Sequence, residues 1–219
     1  MKRPASFALL LLVGACSSTG DSDYSQFYGV LRQSLSASFG HSRVTKDQAA
    51  AIPYASMGYR LNDGPEQLIV LATDNNGEQL WTSAAHIVIA TRDGRIVRTV
   101  GLPANVSAVT PATGRALPPL ATALSGPIAY SRLADLPEMK IYGAAMACKA
   151  VYRGRQTIMI LERGISTVKV DESCVSTALN WSFMDSYWLD PKTGLAWKTI
   201  QHISPKDGKI ETEILRPPG

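Results

Sequence analysis

From residue 56 onward, apolar and polar positions alternate with a period of two, and that alternation predicts strands. The runs 56–61 and 67–72 are separated by Asn62-Asp63-Gly64-Pro65, and Asp74-Asn75-Asn76-Gly77 leads into a third run at 79–83. The runs 86–91 and 95–100 flank Arg92-Asp93-Gly94, and Asp-Gly between alternating apolar runs is the strongest hairpin signal in the chain. Strands are expected again at about 140–152, 155–163 and 166–173. Further strands at 186–190, 195–200 and 209–215 are punctuated by Pro191-Lys192-Thr193-Gly194 and Pro205-Lys206-Asp207-Gly208.

Two stretches have helical spacing instead. Tyr24, Phe27, Tyr28, Leu31 and Leu35 predict a helix over about 23–38 with its aromatic face on the body, stopped by Gly40. Thr45-Lys46-Asp47-Gln48 is a capping-box pattern opening a short helix that must end before Pro53. Residues 103–127 carry five prolines and no apolar period, which reads as a long functional loop or a linker. The fold class is therefore mainly β. It is an antiparallel, strongly curved sheet, a sandwich or a partly open barrel, with an N-terminal helix.

Composition changes this picture little. Of 219 residues 45% are hydrophobic and 18% charged, enough for one sizeable core and unlike a disordered or fibrous chain. The formal charge of +4 includes Lys2 and Arg3. Without residues 1–15 it falls to about +2, which is no nucleic-acid footprint.

The N-terminus is more informative. A positive start at Lys2-Arg3 precedes the apolar run Ala8-Leu9-Leu10-Leu11-Leu12-Val13, which is too short to span a bilayer of about 30 Å. Small residues then lead to Cys16, the spacing of a lipoprotein signal: 1–15 is expected as the cleaved peptide, Cys16 as the lipidated residue and 16–22 as a polar tether. Two or three acyl chains make such an anchor effectively permanent. Ser17 and Ser18 stand where an Asp would favour inner-membrane retention, so the expected location is the periplasmic face of the outer membrane. Residues 23–219 follow as a single β-rich domain, or as two halves joined by 103–127.

With Cys16 lipidated, Cys148 and Cys174 remain as an even pair in an oxidising compartment. A bridge would close a loop of about 27 residues and stabilise the fold by about 3.5 kcal/mol, the alternative being two buried thiols. There is no CxxC, and His41, His86 and His202 are scattered, so neither a metal nor another cofactor is expected.

Catalytic patterns are weak. Ser166-Thr167-Val168-Lys169 matches the Ser/Lys acylase motif, but that chemistry needs a helix, and this stretch is β-branched. Asp171 and Glu172 are neighbours that would point to opposite faces of a strand, Glu162 is isolated, and Glu211 and Glu213 read as the solvated face of an edge strand. Asp190 is placed to cap the turn before Pro191. Trp181, Tyr187, Trp188 and Trp197 crowd into one stretch, and Tyr187, Trp188 and Trp197 are the candidate glycan-stacking residues, against the plainer reading of a core seam. Arg92, Arg95 and Arg98, and likewise Arg153, Arg155 and Arg163, form basic groups that read as solvated faces.

Several stretches together resemble one family. They are Ala51-Ile52-Pro53-Tyr54-Ala55-Ser56-Met57, the leucine-rich strand at 68–72, Trp81, the hairpin 91–102 and the segment Tyr187 to Lys198. In order and spacing they are similar to the YjbF/GfcB lipoproteins associated with group 4 capsule and exopolysaccharide production. The resemblance implies a β-rich outer-membrane lipoprotein that supports polysaccharide assembly or secretion without catalysis. Its expected partners are the membrane, through the lipid, and polysaccharide or export proteins, with no nucleic acid. A periplasmic lipid or lipoprotein carrier is one rival reading, and a polysaccharide-modifying enzyme using Glu162, Asp171 or Asp190 is another.

Overall fold

The computed structural model describes residues 43–206 and 208–219. The helix expected over 23–38, the tether and Cys16 lie outside the described residues. Twelve strands form one antiparallel sheet. In chain order they are β1 (Ser56–Leu61), β2 (Gln67–Asn75), β3 (Glu78–Thr82), β4 (Val88–Arg92), β5 (Arg95–Val100) and β6 (Ala108–Pro111). They continue with β7 (Ile128–Leu136), β8 (Ile141–Ile160), β9 (Arg163–Ser176), β10 (Trp181–Leu189), β11 (Ala196–His202) and β12 (Lys209–Arg216). Each strand pairs with its sequence neighbours except at β5 and β6, which are the two ends of the sheet, and β1 pairs with β12, so the order runs β5-β4-β3-β2-β1-β12-β11-β10-β9-β8-β7-β6. The sheet thus rolls into an up-and-down barrel that is nearly closed, with its seam between β5 and β6. Across that seam Thr99 N–H donates to the Val106 carbonyl (2.8 Å), and Val106 N–H donates to Thr99 Oγ1 (3.1 Å).

Local chemistry explains the turns. Asn76-Gly77 and Asp93-Gly94 all have positive φ (50°, 77°, 50° and 78°), the conformation that two-residue hairpins require and that Asn, Asp and Gly tolerate. Asp190 caps its turn as its sequence position suggests, Oδ1 accepting from Lys192 N (2.8 Å) and Thr193 N (2.9 Å). These bonds to the charged form hold its carboxyl below the usual range. The capping box is formed as well: Thr45 caps α1 (Lys46–Ala50), whose Gln48 reaches back to the Thr45 N–H (2.8 Å). On the outer side of β2, Ile52 packs on Val70, Leu68 and Ala84.

Three features depart from the sequence expectation. The runs at 140–152 and 155–163 are one strand, β8, bent at a bulge between Tyr152 and Gly154, and the hairpin turns at Leu161-Glu162. The segment 103–127 holds the short strand β6 and a 3-10 turn, Leu120–Ser125, whose Leu120 and Ala123 pack on Val168, Val170 and Leu189. And β12 is no edge: it lies between β1 and β11, which buries Glu211 and Glu213.

The barrel interior holds a hydrophobic core. The main core gathers Met57, Tyr59, Ile69, Trp81, Ile89 and Ile214 with residues of β7, β8 and β9. Cys148 and Cys174 sit opposite each other on β8 and β9 and are joined by a disulfide within that core. The bridge leaves no thiolate beside Glu172, where the two sulfurs and a carboxylate oxygen lie within 4.8 Å of one another.

Candidate functional site

Alternation along a strand sends consecutive side chains to opposite faces. Asp171 accordingly lies on the outer wall and Glu172 in the interior. The same rule divides the candidate glycan residues. Tyr187 is 0% exposed, its hydroxyl within 3.4 Å of Glu172 Oε2 and 3.3 Å of Gln201 Oε1, so it cannot stack on a sugar at the surface. Burial pushes its phenol well above the ordinary value. Trp197 is half-buried, packs against the main core and lies beneath the Arg163 guanidinium (5.8 Å). Trp181 stacks on Phe183, with centroids 4.1 Å apart. Of the three proposed residues, only Trp188 belongs to the outer wall, and it pairs across the sheet with Lys198 rather than with Trp197.

Trp188 stands in a row that only strand register reveals. Lys169 on β9 pairs with Trp188 on β10, Trp188 with Lys198 on β11, and Lys198 with Glu213 on β12. The two ammonium groups lie 5.3 and 5.8 Å from the indole centroid, within cation–π range. The indole N–H donates to Gln156 Oε1 (2.7 Å), reaching over from the long β8–β9 hairpin. Beyond Lys198 the row opens into a cleft of about 440 Å³ between the tip of that hairpin (Met159, Leu161, Glu162) and the wall formed by Arg43, Glu66 and Glu213. Met159 is 62% exposed there.

Ion pairs line the wall of the cleft. Lys198 Nζ bonds Glu211 (2.7 Å) and Glu213 (2.8 Å), Arg60 bonds Glu211 (2.6 Å), and Arg43 bonds Glu211 (3.0 Å) and Glu213 (2.9 Å). Burial works to raise the Glu211 carboxyl, but hydrogen bonds from Lys198 and Arg60 outweigh it and hold the group down at about 2. For Glu66 the balance is reversed: burial pushes it up against the Val44 N–H and the nearby arginines. On the other side of Trp188, Asp171 is bonded by Lys169 (3.1 Å), Arg153 (3.1 Å) and Ser186 (2.7 Å).

The interior holds a second charge network, which bears on the barrel's rigidity. Arg95, expected on a solvated edge, is 1% exposed. Its Nε bonds Glu172 Oε1 (2.9 Å), Nη1 the Pro118 carbonyl (2.9 Å) and Nη2 the Tyr130 hydroxyl (2.9 Å). Tyr130 in turn donates to Glu172. Arg132 bonds Glu172 Oε2 (3.1 Å) and lies 3.6 Å from Asp185, whose other oxygen meets His202 Nδ1 at 3.0 Å. Gln201 accepts from Ile96 N (2.8 Å) and donates to the Gly94 carbonyl (2.9 Å). Beside the seam, on the side of β5 that faces no strand, Gln201 of β11 therefore supplies a partner for the Ile96 N–H, while Tyr130 of β7 and Glu172 of β9 hold the Arg95 side chain. Burial dominates the Glu172 carboxyl and, with Asp185 nearby, raises it to about 7 despite Arg95. Arg92 and Arg98, by contrast, stay on the surface and share Glu78.

Fold and site together define an antiparallel β-barrel with an aromatic and ionic strip on its outer wall. Residues 32–215 match the family described as the group 4 capsule polysaccharide lipoproteins GfcB and YjbF, and the chain belongs to it. It is 26% identical to the uncharacterized lipoprotein YjbF of Escherichia coli (strain K12), over 99% of this chain and 98% of the relative. It is 25% identical to the lipoprotein GfcB of the same organism, over 80% and 81%. The crystal structure of the hypothetical lipoprotein YmcC from Escherichia coli (K12) superposes with a TM-score of 0.72 at 24% identity, covering 90% of this chain and 97% of that one. That likeness establishes the fold.

Proposed function

We propose that this lipoprotein is held through lipid on Cys16 at the periplasmic face of the outer membrane, where it supports capsule or exopolysaccharide secretion by holding polymer on its outer wall. The observation that carries this reading is the row Lys169–Trp188–Lys198 leading into the cleft under the β8–β9 hairpin. A sugar's C–H face is apolar and stacks on an indole, while lysines supply hydrogen-bond donors on either side. A row across strands with an overhang suits a chain better than a compact molecule. The role is one of holding rather than bond cleavage. Glycoside hydrolysis needs a raised carboxylic acid facing a free carboxylate, whereas Glu211 and Glu213 are neutralised by Lys198 and Arg43, and the raised Glu66 is engaged by the Val44 N–H and Arg43. The carrier alternative needs a large apolar cavity, and the interior is interrupted by the buried charges of Arg95, Arg132, Glu172 and Asp185.

The test has two arms. Titrating the lipidated protein in detergent with the host's own exopolysaccharide should change tryptophan fluorescence saturably, and Trp188→Phe with Lys169→Gln should weaken binding at least tenfold. Deleting the gene should lower surface or secreted polymer, with the same double variant failing to restore it. Unchanged polymer in the deletion strain, or full rescue by the variant, refutes the proposal.

A further inference from the structure

A second cavity, of about 250 Å³, opens at one end of the barrel, remote from the ionic wall of the cleft in its chemistry. Three turns rim it: Gly77 between β2 and β3, Asp93-Gly94 between β4 and β5, and Thr193-Gly194 between β10 and β11. The rim is drawn tight at Gly94, where a Cβ would come within 2.5 Å of Ala196 Cβ, so the turn has to be glycine. Below the rim the cavity reaches Trp81 and three threonines, Thr91, Thr199 and Thr212.

The hydroxyls of those threonines are not all spent. Thr91 Oγ1 accepts from the Trp81 indole N–H (3.1 Å), which leaves its own proton to donate. Thr199 and Thr212 lie 2.7 Å apart and need one proton between them, and Thr199 already accepts from Gln201 (2.9 Å). With Thr199 donating to Thr212, the Thr212 proton is left for a ligand. Two buried hydroxyl donors, a glutamine (Gln79) and an apolar floor of Met57 and Ile214 match a molecule that presents hydroxyl and ether oxygens on an apolar ring. Asp93 is the one charged side chain among the described residues lining the cavity, and no lysine or arginine lines it with Asp93. An anionic ligand would therefore meet only repulsion.

We infer that the barrel mouth is a binding site for a single neutral sugar unit, such as a chain end or a side branch. The inference rests on the polysaccharide reading for the class of ligand, but its residues are separate from the Trp188 row. The lack of a lysine or arginine among its described lining residues sets it apart from that row, where lysines and arginines predominate on the exposed side.

The experiment is an NMR titration of the 15N-labelled lipidated protein in detergent with glucose, galactose and glucuronate. At least one neutral sugar should shift the amides of Gly94, Thr193, Gly194 and Thr212 saturably, with glucuronate at least tenfold weaker. Thr212→Val should weaken the neutral sugar at least fivefold. Asp93→Asn keeps a residue that favours this turn, so it reports even if the threonine variant does not fold, and it should bring glucuronate to within threefold of the neutral sugar. Trp188→Phe should leave these shifts unchanged, even where polymer binding to the wall is lost. Absence of saturable shifts with either neutral sugar, glucuronate binding as tightly as they do, or indifference to both mouth variants overturns the inference. Failure of polymer binding at Trp188 with intact shifts at the mouth sinks the wall proposal alone.

Discussion

Replacing Arg95 by methionine keeps most of the volume at the seam and removes its charge. Arg95 makes three bonds at 2.9 Å, to Glu172, the Pro118 carbonyl and Tyr130. Breaking a buried ion pair by deleting one partner typically costs about 3–5 kcal/mol, because the other charge is left uncompensated. Here Arg132 still holds Glu172 Oε2, and Tyr130 still donates to Oε1, so the lower end, about 3 kcal/mol, applies when Glu172 is ionised, and the cost is smaller when it is protonated. The pH dependence then follows from linkage. In the native protein Glu172 has a raised carboxyl, at about 7, so its proton stabilises the fold at low pH and that contribution is lost as pH rises toward 7. Arg95 opposes this rise, and without it the carboxyl moves higher still. Above pH 7 the variant goes on losing stability where the native protein has stopped, by up to about 1.4 kcal/mol per pH unit. Urea unfolding at pH 5 and pH 8 measures both quantities, with the slope m confirming that the same surface is exposed. The expected deficit is about 3 kcal/mol at pH 8 and smaller by about 1.4 kcal/mol at pH 5. The double variant Arg95→Met/Glu172→Gln should show no such difference between the two pH values. A deficit below about 1 kcal/mol, or one equal at both pH values, refutes the account of the seam.

Two further outcomes follow from the same structure. Wild-type stability should fall by roughly 3 kcal/mol between pH 4.5 and 7 as Glu172 loses its proton, and Glu172→Gln should flatten that stretch of the curve; below pH 4.5 stability falls again as Glu211, held at about 2 by Lys198 and Arg60, is protonated. At the tip of the β8–β9 hairpin, Leu161 and Glu162 both have positive φ (47° and 64°), so Leu161→Asn with Glu162→Gly should raise urea stability by about 1–2 kcal/mol, and a loss would show that their side chains pack productively in the cleft.

The turns and the alternation were legible because they depend on nearest neighbours. Asp93-Gly94 and Asn76-Gly77 specify hairpins whatever lies beyond them, and Thr45 with Gln48 specifies a helix start. The 161–162 turn was missed because Leu-Glu lacks that local chemistry, and the length of the paired strands forces the conformation instead. Alternation placed Asp171 and Glu172 on opposite faces, and applied one strand further it would have parted Tyr187 from Trp188.

What alternation leaves open is which face becomes interior and which strand ends beside which. Arg95 read as solvent-facing because a charge inside a barrel is costly, and its partners Glu172 and Tyr130 stand 77 and 35 residues away. Lys169 and Lys198 flank Trp188 only through the registers of β9, β10 and β11, and the mouth threonines meet only once the sheet has rolled up. By itself the sequence determined most of the strands, the short turns, the pairing of the two remaining cysteines and the lipoprotein character. The closure of the barrel, the burial of its charges and the assembly of both surfaces were decided by tertiary structure, because each depends on pairing between segments that no local preference brings together.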